Sequence, residues 1–323
     1  MKKQLFTLAA FAAIALVSCE REASLTEGKP VEVNVTIQGA APTRATGVQY
    51  SSESRVENLQ VYVFNDGKLE DYRNAGASMT AQLTATSGLR TVWALVNAPA
   101  LSDILTETEL KGHLSQLSDN KTDAFVMTGS VRQELTDGGT VPITVKRIVS
   151  RVSIGKITTA YQYSLASETL EVSAIYLINA AADNTYAVDG TPTAWLNRLG
   201  YSASPCDVLL YDKVNAQVTN GSPYTKEHVF YPYPNPTTAV SHDGTWSPRH
   251  TMLVVEVRFQ GKKGYYPVEL PVLERNKTYV IDELVLKHRP GDEPYKPLET
   301  GDATVQITVN DWETGLNLGT VTL

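Results

Sequence analysis

Cysteine is scarce in this sequence, and no block of basic residues is present. Only Cys19 and Cys206 are cysteines among 323 residues, and 28 Lys and Arg stand against 35 Asp and Glu, a net charge of -7. Nucleic-acid binding depends on neutralising phosphates with clustered positive charge, so we expect no nucleic acid as a partner. The length favours about two domains.

Motifs of catalysis are also missing. The chain has no G-x-S-x-G, H-E-x-x-H or P-loop motif, and Cys206 lies in no local motif that would make it a nucleophile. Its five histidines are scattered along the sequence. The sequence therefore predicts a protein that is not an enzyme and that needs no cofactor or metal ion.

The first residues predict export. Lys2 and Lys3 precede an apolar stretch, residues 5–17, that is too short to cross a bilayer as a helix. The stretch runs into Leu16-Val17-Ser18-Cys19, which resembles the bacterial lipobox. Residues 1–18 are thus predicted to be a removed signal peptide, and Cys19 a lipid anchor acylated by chains such as palmitate. The alternative is a plain secretory leader that contains a cysteine by chance.

Only Cys206 then remains as a thiol, so no disulfide is expected within the mature chain. A buried small side chain is the expected role of Cys206, and a reactive thiol is the alternative. Stability must come from packing.

A strand is predicted soon after the anchor. Residues 19–29 are polar and have no periodicity, which is typical of a tether. In residues 31–37 the apolar side chains alternate with polar ones and fall on one face of a strand: Val31, Val33, Val35 and Ile37. Residues 39–54, rich in Ala, Gly, Ser and Thr, predict a long exposed loop that contains Arg44.

The next region predicts a β domain with one helix. Short runs rich in β-branched and aromatic residues predict strands at 59–64, 91–96, 125–128 and 141–145, with a turn at 65–67. Thr106 and Glu109 have capping-box spacing and begin a helix between 102 and 117. Leu110, Leu114 and Leu117 recur at helical spacing, so all three are expected in the core.

A second series of strands begins after residue 147. Its runs are 149–157, 170–178, 252–259, 265–270, 279–286 and 304–309, and residues 261–264 are predicted to link the third and fourth as a hairpin. The tail, residues 313–323, carries alternating Leu316 and Leu318, then Val321 and Leu323 after a one-residue phase shift. Sequential short strands with few helices indicate antiparallel β-sandwiches, here a domain at 30–146 and another at 147–323.

One irregular segment, residues 201–249, is rich in Pro and Tyr. Its Tyr231, Tyr233 and Trp246 are candidates for stacking on sugar rings. The alternative is that they pack this long segment against its own domain.

Several motifs, in this order, resemble the fimbrillin family, the pilus subunits that Bacteroides-type bacteria make from lipoprotein precursors. They are the lipobox at Cys19, the strand 31–37 followed by Pro42-Thr43-Arg44-Ala45, the junction Lys146-Arg147-x-Val149-x-Arg151-Val152, and Val305-x-Ile307-x-Val309-x-Asp311-Trp312. The resemblance implies a mainly β fold of two transthyretin-like antiparallel sandwich domains with one short helix in the first.

The resemblance also implies a route of assembly. The lipoprotein reaches the outer membrane, and an arginine-specific or trypsin-like protease cuts between Arg44 and Ala45, with Arg55 as the competing site. The first strand then leaves, and the C-terminal strand of another subunit fills its place in an extracellular fimbrium. Leu316, Leu318, Val321 and Leu323 would be the donor side chains, although such a tail is often the last strand of its own sheet.

Other roles stay open at this point. The chain is expected to partner with other fimbrial subunits and with receptors on host or bacterial surfaces. The alternatives are a tip subunit, an anchor subunit that keeps its lipid and first strand, and a glycan-binding surface lipoprotein.

Overall fold

A computed structural model describes residues 28–39, 51–198, 209–239, 247–298, 307–312 and 320–322. These ranges are mainly β. The first strands are β1 Pro30–Gln38, β2 Leu59–Asn65, β3 Lys68–Asn74, β4 Thr80–Thr86 and β5 Gly88–Val96. After helix α1, Glu107–Gly112, come β6 Leu114–Gln116, β7 Met127–Leu135, β8 Gly139–Thr144 and β9 Lys146–Arg147.

The later strands are more numerous and several are short. They are β10 Arg151–Ile154, β11 Ile157–Thr159, β12 Leu170–Ile178, β13 Ala180–Ala181, β14 Asp183–Thr185, β15 Trp195–Leu196, β16 Tyr211–Val218, β17 His228–Phe230, β18 Met252–Phe259, β19 Lys262–Glu269, β20 Lys277–Ile281, β21 Glu283–Leu286, β22 Thr308–Asp311 and β23 Thr320–Thr322. Short 3₁₀ turns occupy Ser51–Ser54, Leu117–Asp119 and Tyr163–Leu165. No helix in the described ranges has the length and apolarity needed to cross a membrane.

Two sheets form the first sandwich. One has the order β4-β1-β8 and the other the order β3-β2-β5-β7-β9. Alternate residues of β2, Leu59, Val61 and Val63, face a core shared with β1, whereas Tyr62 and Phe64 face a second core on the other side of the five-stranded sheet. That sheet is therefore packed on both faces, which is why every residue of β2 from Leu59 to Phe64 is buried.

The predicted helix is confirmed, but it is shorter than the leucine pattern suggests. Thr106 caps α1, and the reciprocal hydrogen bonds with Glu109 complete the capping box. Leu110 and Leu117 are buried as expected. Leu114 is instead 38% exposed and begins β6, because residues 114–116 leave the helix to pair with β14. The expectation that all three leucines are core contacts is wrong for Leu114.

Later strands form sheets of order β16-β12-β18-β19, β17-β10-β20-β22 and β11-β21-β23. The predicted bounds of β12, 170–178, and of β18, 252–259, are confirmed. The hairpin after β18 is tighter than predicted: Gln260 and Gly261, both with positive φ, make the turn, and β19 already begins at Lys262. Most pairs are antiparallel, while β1–β8, β10–β20, β11–β21 and β21–β23 are parallel.

Pairing partners change near the predicted domain boundary. β9 pairs with β7 of the first sandwich, and β10 is the first strand to pair with β17 and β20. The pair β6–β14 and a hydrophobic core common to both regions join the two parts of the chain. The division into domains at residue 146 stays a prediction.

Candidate functional site

The first strand, β1, lies in the middle of a three-stranded sheet. Its residues 30–36 pair antiparallel with β4, and residues 33–38 pair parallel with β8. β1 therefore uses hydrogen bonds on both of its edges. Val33 sits opposite Leu83 of β4, and Val35 sits beside Val141 of β8.

The inward face of β1 is apolar along its whole length. Val31, Val33, Val35 and Ile37 are all buried, and the residues between them are mostly exposed. β-branched side chains favour this extended conformation. Burial of four such side chains is worth roughly 6–12 kcal/mol at about 1.5–3 kcal/mol each. That is comparable with the stability of a whole domain, about 5–15 kcal/mol.

The residues just before β1 are held against Ser87, the residue that follows β4. The Lys29 amide donates to Ser87 Oγ at 2.9 Å, and the Ser87 amide donates to the Lys29 carbonyl at 2.8 Å. A Cβ on Gly28 would lie 2.1 Å from the Ser87 carbonyl oxygen, so only glycine fits there. Beside these residues is a depression of about 1250 Å³, lined among others by the half-exposed Leu89 and the ion pair of Arg90 with Glu70, 2.7 Å apart.

β1 ends at Gln38, and the predicted processing site, Arg44 and Ala45, follows six residues later in the sequence. Both residues lie outside the described ranges. The last residue of β1, Gln38, accepts a hydrogen bond from the Val145 amide at 2.9 Å. The chain is described again from Ser51.

The competing cut site, Arg55, has a restrained backbone. Its side chain is exposed and forms ion pairs with Asp123 and Glu57. Its carbonyl, however, accepts a hydrogen bond from Asn97 Nδ2 at 2.7 Å, and the Glu57 amide donates to Asn97 Oδ1 at 2.7 Å. A protease must straighten and bind the segment that it cuts, so these bonds oppose cleavage at Arg55.

Glu53 lies just before Arg55 and is completely buried. The Tyr231 hydroxyl donates to its Oε1 at 2.6 Å, the Trp312 indole Nε1 donates to its Oε2 at 3.1 Å, and the Arg151 guanidinium lies 3.5 Å from its Oε1. Burial raises the pKa of the Tyr231 hydroxyl, and the negative charge of Glu53 raises it further. The carboxylate is thus satisfied by groups that are far away in sequence, and no local pattern in the sequence indicates it.

Aromatic rings pack around this carboxylate. The Tyr231 and Trp312 rings stack with centroids 5.8 Å apart, and Phe125 lies 4.6 Å from Tyr231. The Arg147 guanidinium lies over the Trp312 ring at 4.7 Å, and its Nε donates to the Glu53 carbonyl at 3.1 Å. Residues at the domain junction, at the end of the first loop and at the base of the tail therefore meet here.

Part of the predicted donor tail is paired within its own molecule. Within that tail, residues 320–322 form β23, and Val321 lies beside Leu284 of β21 at the edge of a sheet. β22, which precedes the tail, pairs with β20 at the edge of another sheet. Leu316, Leu318 and Leu323 lie outside the described residues.

The candidate ligand-contacting tyrosines are not at the surface. Tyr231 and Tyr233 are both buried, and the Tyr233 hydroxyl lies 2.8 Å from Ser115 Oγ and accepts from Asn120 Nδ2 at 3.0 Å. Both rings pack their segment against the protein itself, which leaves no face for a sugar. Trp246, like Cys19 and Cys206, lies outside the described residues.

The two buried histidines in the described ranges, His228 and His250, are both hydrogen-bonded within the protein. His228 Nδ1 lies 2.7 Å from Asp212 Oδ2, and its Nε2 lies 2.8 Å from the Tyr224 hydroxyl, which ties β17 to β16. Among the described residues, no group of three His, Cys, Asp or Glu side chains is arranged to hold a metal ion.

Comparison with known proteins gave matches of sequence and of fold. A family model described as major fimbrial subunit protein (FimA) matches residues 30–190, about half of the chain. No curated protein matches the sequence significantly.

Solved structures share the fold at low identity. A candidate cell adhesion protein of Bacteroides eggerthii is 16% identical with a TM-score of 0.68, covering 92% of this chain and 98% of its own. One from Parabacteroides distasonis is 16% identical with a TM-score of 0.64, covering 88% and 100%. A fimbrilin of Porphyromonas gingivalis is 14% identical with a TM-score of 0.62, covering 92% and 98%.

Proposed function

The chain belongs to the major fimbrial subunit (FimA) family, and from that membership we propose that it polymerises into a cell-surface fimbrium by exchanging its first strand. Membership of a family of fimbrial subunits implies a structural role at the cell surface and assembly with other fimbrial subunits.

The position of β1 is the observation that carries this proposal. β1 is the central strand of its sheet, so its departure would leave two unpaired strand edges, β4 and β8, on either side of an uncovered apolar floor. Unpaired backbone groups and exposed apolar side chains are both unfavourable in water. A strand with alternating apolar residues from another subunit would restore both kinds of contact.

The rest of the first sandwich has contacts that would keep it folded after β1 leaves. The five-stranded sheet has a second core on its outer face, built around Tyr62, Phe64, Trp93 and Leu95, that does not involve β1. The segment downstream of the loop is held separately, through Glu53. Loss of β1 would therefore empty one core and leave the other intact.

The backbone geometry at Arg55 disfavours processing there, which supports Arg44 as the cut site in this proposal. The hydrogen bonds of Asn97 to Arg55 and Glu57 hold the backbone at the competing site. In this proposal the precursor is lipidated at Cys19 and anchored in the outer membrane, and an arginine-specific or trypsin-like protease releases β1. Ala45 then becomes the new N-terminus.

The tail is the proposed donor. Its described part, β23, and the strand that precedes it, β22, each lie at a sheet edge and pair with one strand only, so either can leave without splitting a sheet. Leu316, Leu318, Val321 and Leu323 would enter the groove of the next subunit. The burial of Tyr231 and Tyr233 gives a glycan-binding role no support. Among fimbrial roles, the groove together with a tail favours a stalk subunit over a tip or an anchor.

An assembly experiment tests this function. The purified precursor, treated with an arginine-specific protease, should form filaments visible by electron microscopy, and N-terminal sequencing of the filaments should begin at Ala45. Untreated precursor should stay monomeric, and mass spectrometry of the cellular precursor should find acyl chains on Cys19. Filaments that still contain residues 31–37, or a processed protein that stays monomeric, would refute the proposal.

A further inference from the structure

The base of the C-terminal tail consists of an edge strand followed by a buried tryptophan. β22 has four residues, and these pair with β20 on one side only. The next residue, Trp312, is 3% exposed, and its amide donates to the Asn276 carbonyl at 3.0 Å. A short edge strand frays readily, so the buried Trp312 side chain carries much of the attachment.

The side-chain partner of Trp312 is Glu53, 259 residues earlier in the chain. A buried carboxylate is costly unless hydrogen bonds and positive charge compensate it. Here the compensating groups come from Trp312, Tyr231 and Arg151 together. If Trp312 moves away, Glu53 loses a hydrogen-bond donor, and its buried carboxylate becomes less well compensated. Separation is therefore unfavourable for Glu53 as well as for Trp312.

The end of β1 is linked through hydrogen bonds to the region around Glu53 and Trp312. The carbonyl of Gln38 accepts from the Val145 amide, and Arg147, two residues further on, lies over the Trp312 ring and donates to the Glu53 carbonyl. Removal of β1 takes away the partner of Val145. The segment that carries Arg147 then loses one of its supports, directly beside the base of the tail.

We propose that Glu53 is a latch residue, which holds the tail base at Trp312 while β1 is seated and releases it more easily once β1 has left. The Glu53 latch, formed by Glu53, Trp312, Tyr231 and Arg151, would keep an unprocessed subunit from donating its tail. Its role in assembly rests on the proposed function, whereas its physical part can be measured in the unprocessed monomer.

Hydrogen exchange of the full-length precursor tests the physical part. The variants are Glu53→Gln, which keeps the shape but removes the charge, and Trp312→Phe, which keeps a ring but removes the indole donor. We expect the amides of β22 to exchange at least about tenfold faster in both, equivalent to about 1.4 kcal/mol of local stability. Glu57→Gln, on the same segment but in surface ion pairs, is the matched control and should leave β22 unchanged.

Two exchange results would overturn the latch. One is unchanged β22 protection in Trp312→Phe, which leaves the Glu53 charge in place and so carries the test even if Glu53→Gln does not fold. The other is an equal increase in β12 and β18, which would mean that the variants loosen the whole molecule. Protease treatment of the wild type should also speed exchange in β22, since β1 is then gone.

Assembly kinetics test the consequence. After processing, Trp312→Phe and Glu53→Gln should shorten the lag before filaments grow, and Glu57→Gln should match the wild type. Faster hydrogen exchange in β22 without a shorter lag would refute the claim that the Glu53 latch restrains donation of the tail. If no variant and no wild-type protein forms filaments while β22 still loosens, the proposed function fails and the latch contact stands.

Discussion

Val33 of β1 lies directly opposite Leu83 of β4, and both side chains are buried in the same core. In the precursor the two residues contribute to one folded domain. Under strand exchange their fates differ, because Val33 leaves with β1 and Leu83 stays to contact the strand that arrives.

Substitution of this pair separates precursor stability from filament stability. Val33→Ala should lower the free energy of unfolding of the precursor by about 2 kcal/mol, because two buried methyl groups are lost. Leu83→Ala should cost about 2–5 kcal/mol. Thermal or denaturant unfolding of precursor and of assembled filaments gives the comparison.

Filaments should respond to only one of these changes. Those made from Val33→Ala should be as stable as wild-type filaments, whereas those made from Leu83→Ala should dissociate more easily. Equal weakening of the filament by both substitutions would show that β1 stays in its groove.

Processing should depend on Arg44. Arg44→Ala should leave export and lipidation intact but prevent filament formation, because β1 stays covalently attached. Arg55→Ala is the matched control and should be processed normally, since Asn97 already holds the backbone there. Gel mobility and N-terminal sequencing measure both, and normal filaments from Arg44→Ala would eliminate that site.

A chain that ends at Trp312 should fold and accept a strand but donate none. β23 pairs only with β21 at a sheet edge, and Trp312 keeps its bond to Glu53 in this truncation. Added at a small ratio to processed wild-type protein, it should shorten filaments by capping one end. Loss of cooperative unfolding in the truncated chain would show that the tail is needed by its own sheet.

Alkaline stability should depend on Tyr231. Burial, and then the charge of Glu53, raises the pKa of its hydroxyl in the folded protein. Its contribution is therefore complete below the unfolded pKa, about 10, and is lost as pH rises toward the folded value. Above pH ~10 the free energy of unfolding should fall with pH less steeply in Tyr231→Phe than in the wild type. The difference in slope should be about 1.4 kcal/mol per pH unit, which corresponds to one proton.

The same substitution lowers stability at neutral pH, since a hydrogen bond to a charged group is lost, so the slope is the informative quantity. Tyr163→Phe, at a side chain that is 91% exposed, is the control. Denaturant titrations at several pH values provide the slopes. An unchanged slope in Tyr231→Phe would contradict the prediction.

A strand whose buried face carries large apolar side chains, such as β1, could be predicted from the sequence, whereas β4 was missed because two of its three buried residues are alanines. β1 extends beyond its predicted range by only one residue at each end. The prediction is this close because apolar and polar residues alternate regularly along the strand. β3 was missed, since this edge strand carries mainly polar, partly exposed side chains and has no apolar period. β16 was missed for the same reason: it also lies at a sheet edge.

The Glu53 contacts were beyond sequence reasoning. Hydrophobic periodicity and capping motifs act over a few residues, whereas Glu53 meets Tyr231 and Trp312 only after the chain has folded. The sequence did single out Asp311-Trp312 and the Arg147 region as landmarks. It offered no sign that one buried carboxylate joins them, because Glu53 lies in a short polar 3₁₀ turn like many exposed ones.

The strands on either side of β1 run in opposite directions, since one pairs with it antiparallel and the other parallel. Two strand spacings, ~10 Å, separate them. If β1 leaves, β4 and β8 are therefore already oriented to form an antiparallel pair with each other. If they paired, the groove would close and the subunit could no longer accept a strand. Under the proposed strand exchange, a processed subunit would lose its ability to accept a strand with time, and filament growth would depend on how soon processing is followed by binding of the next subunit.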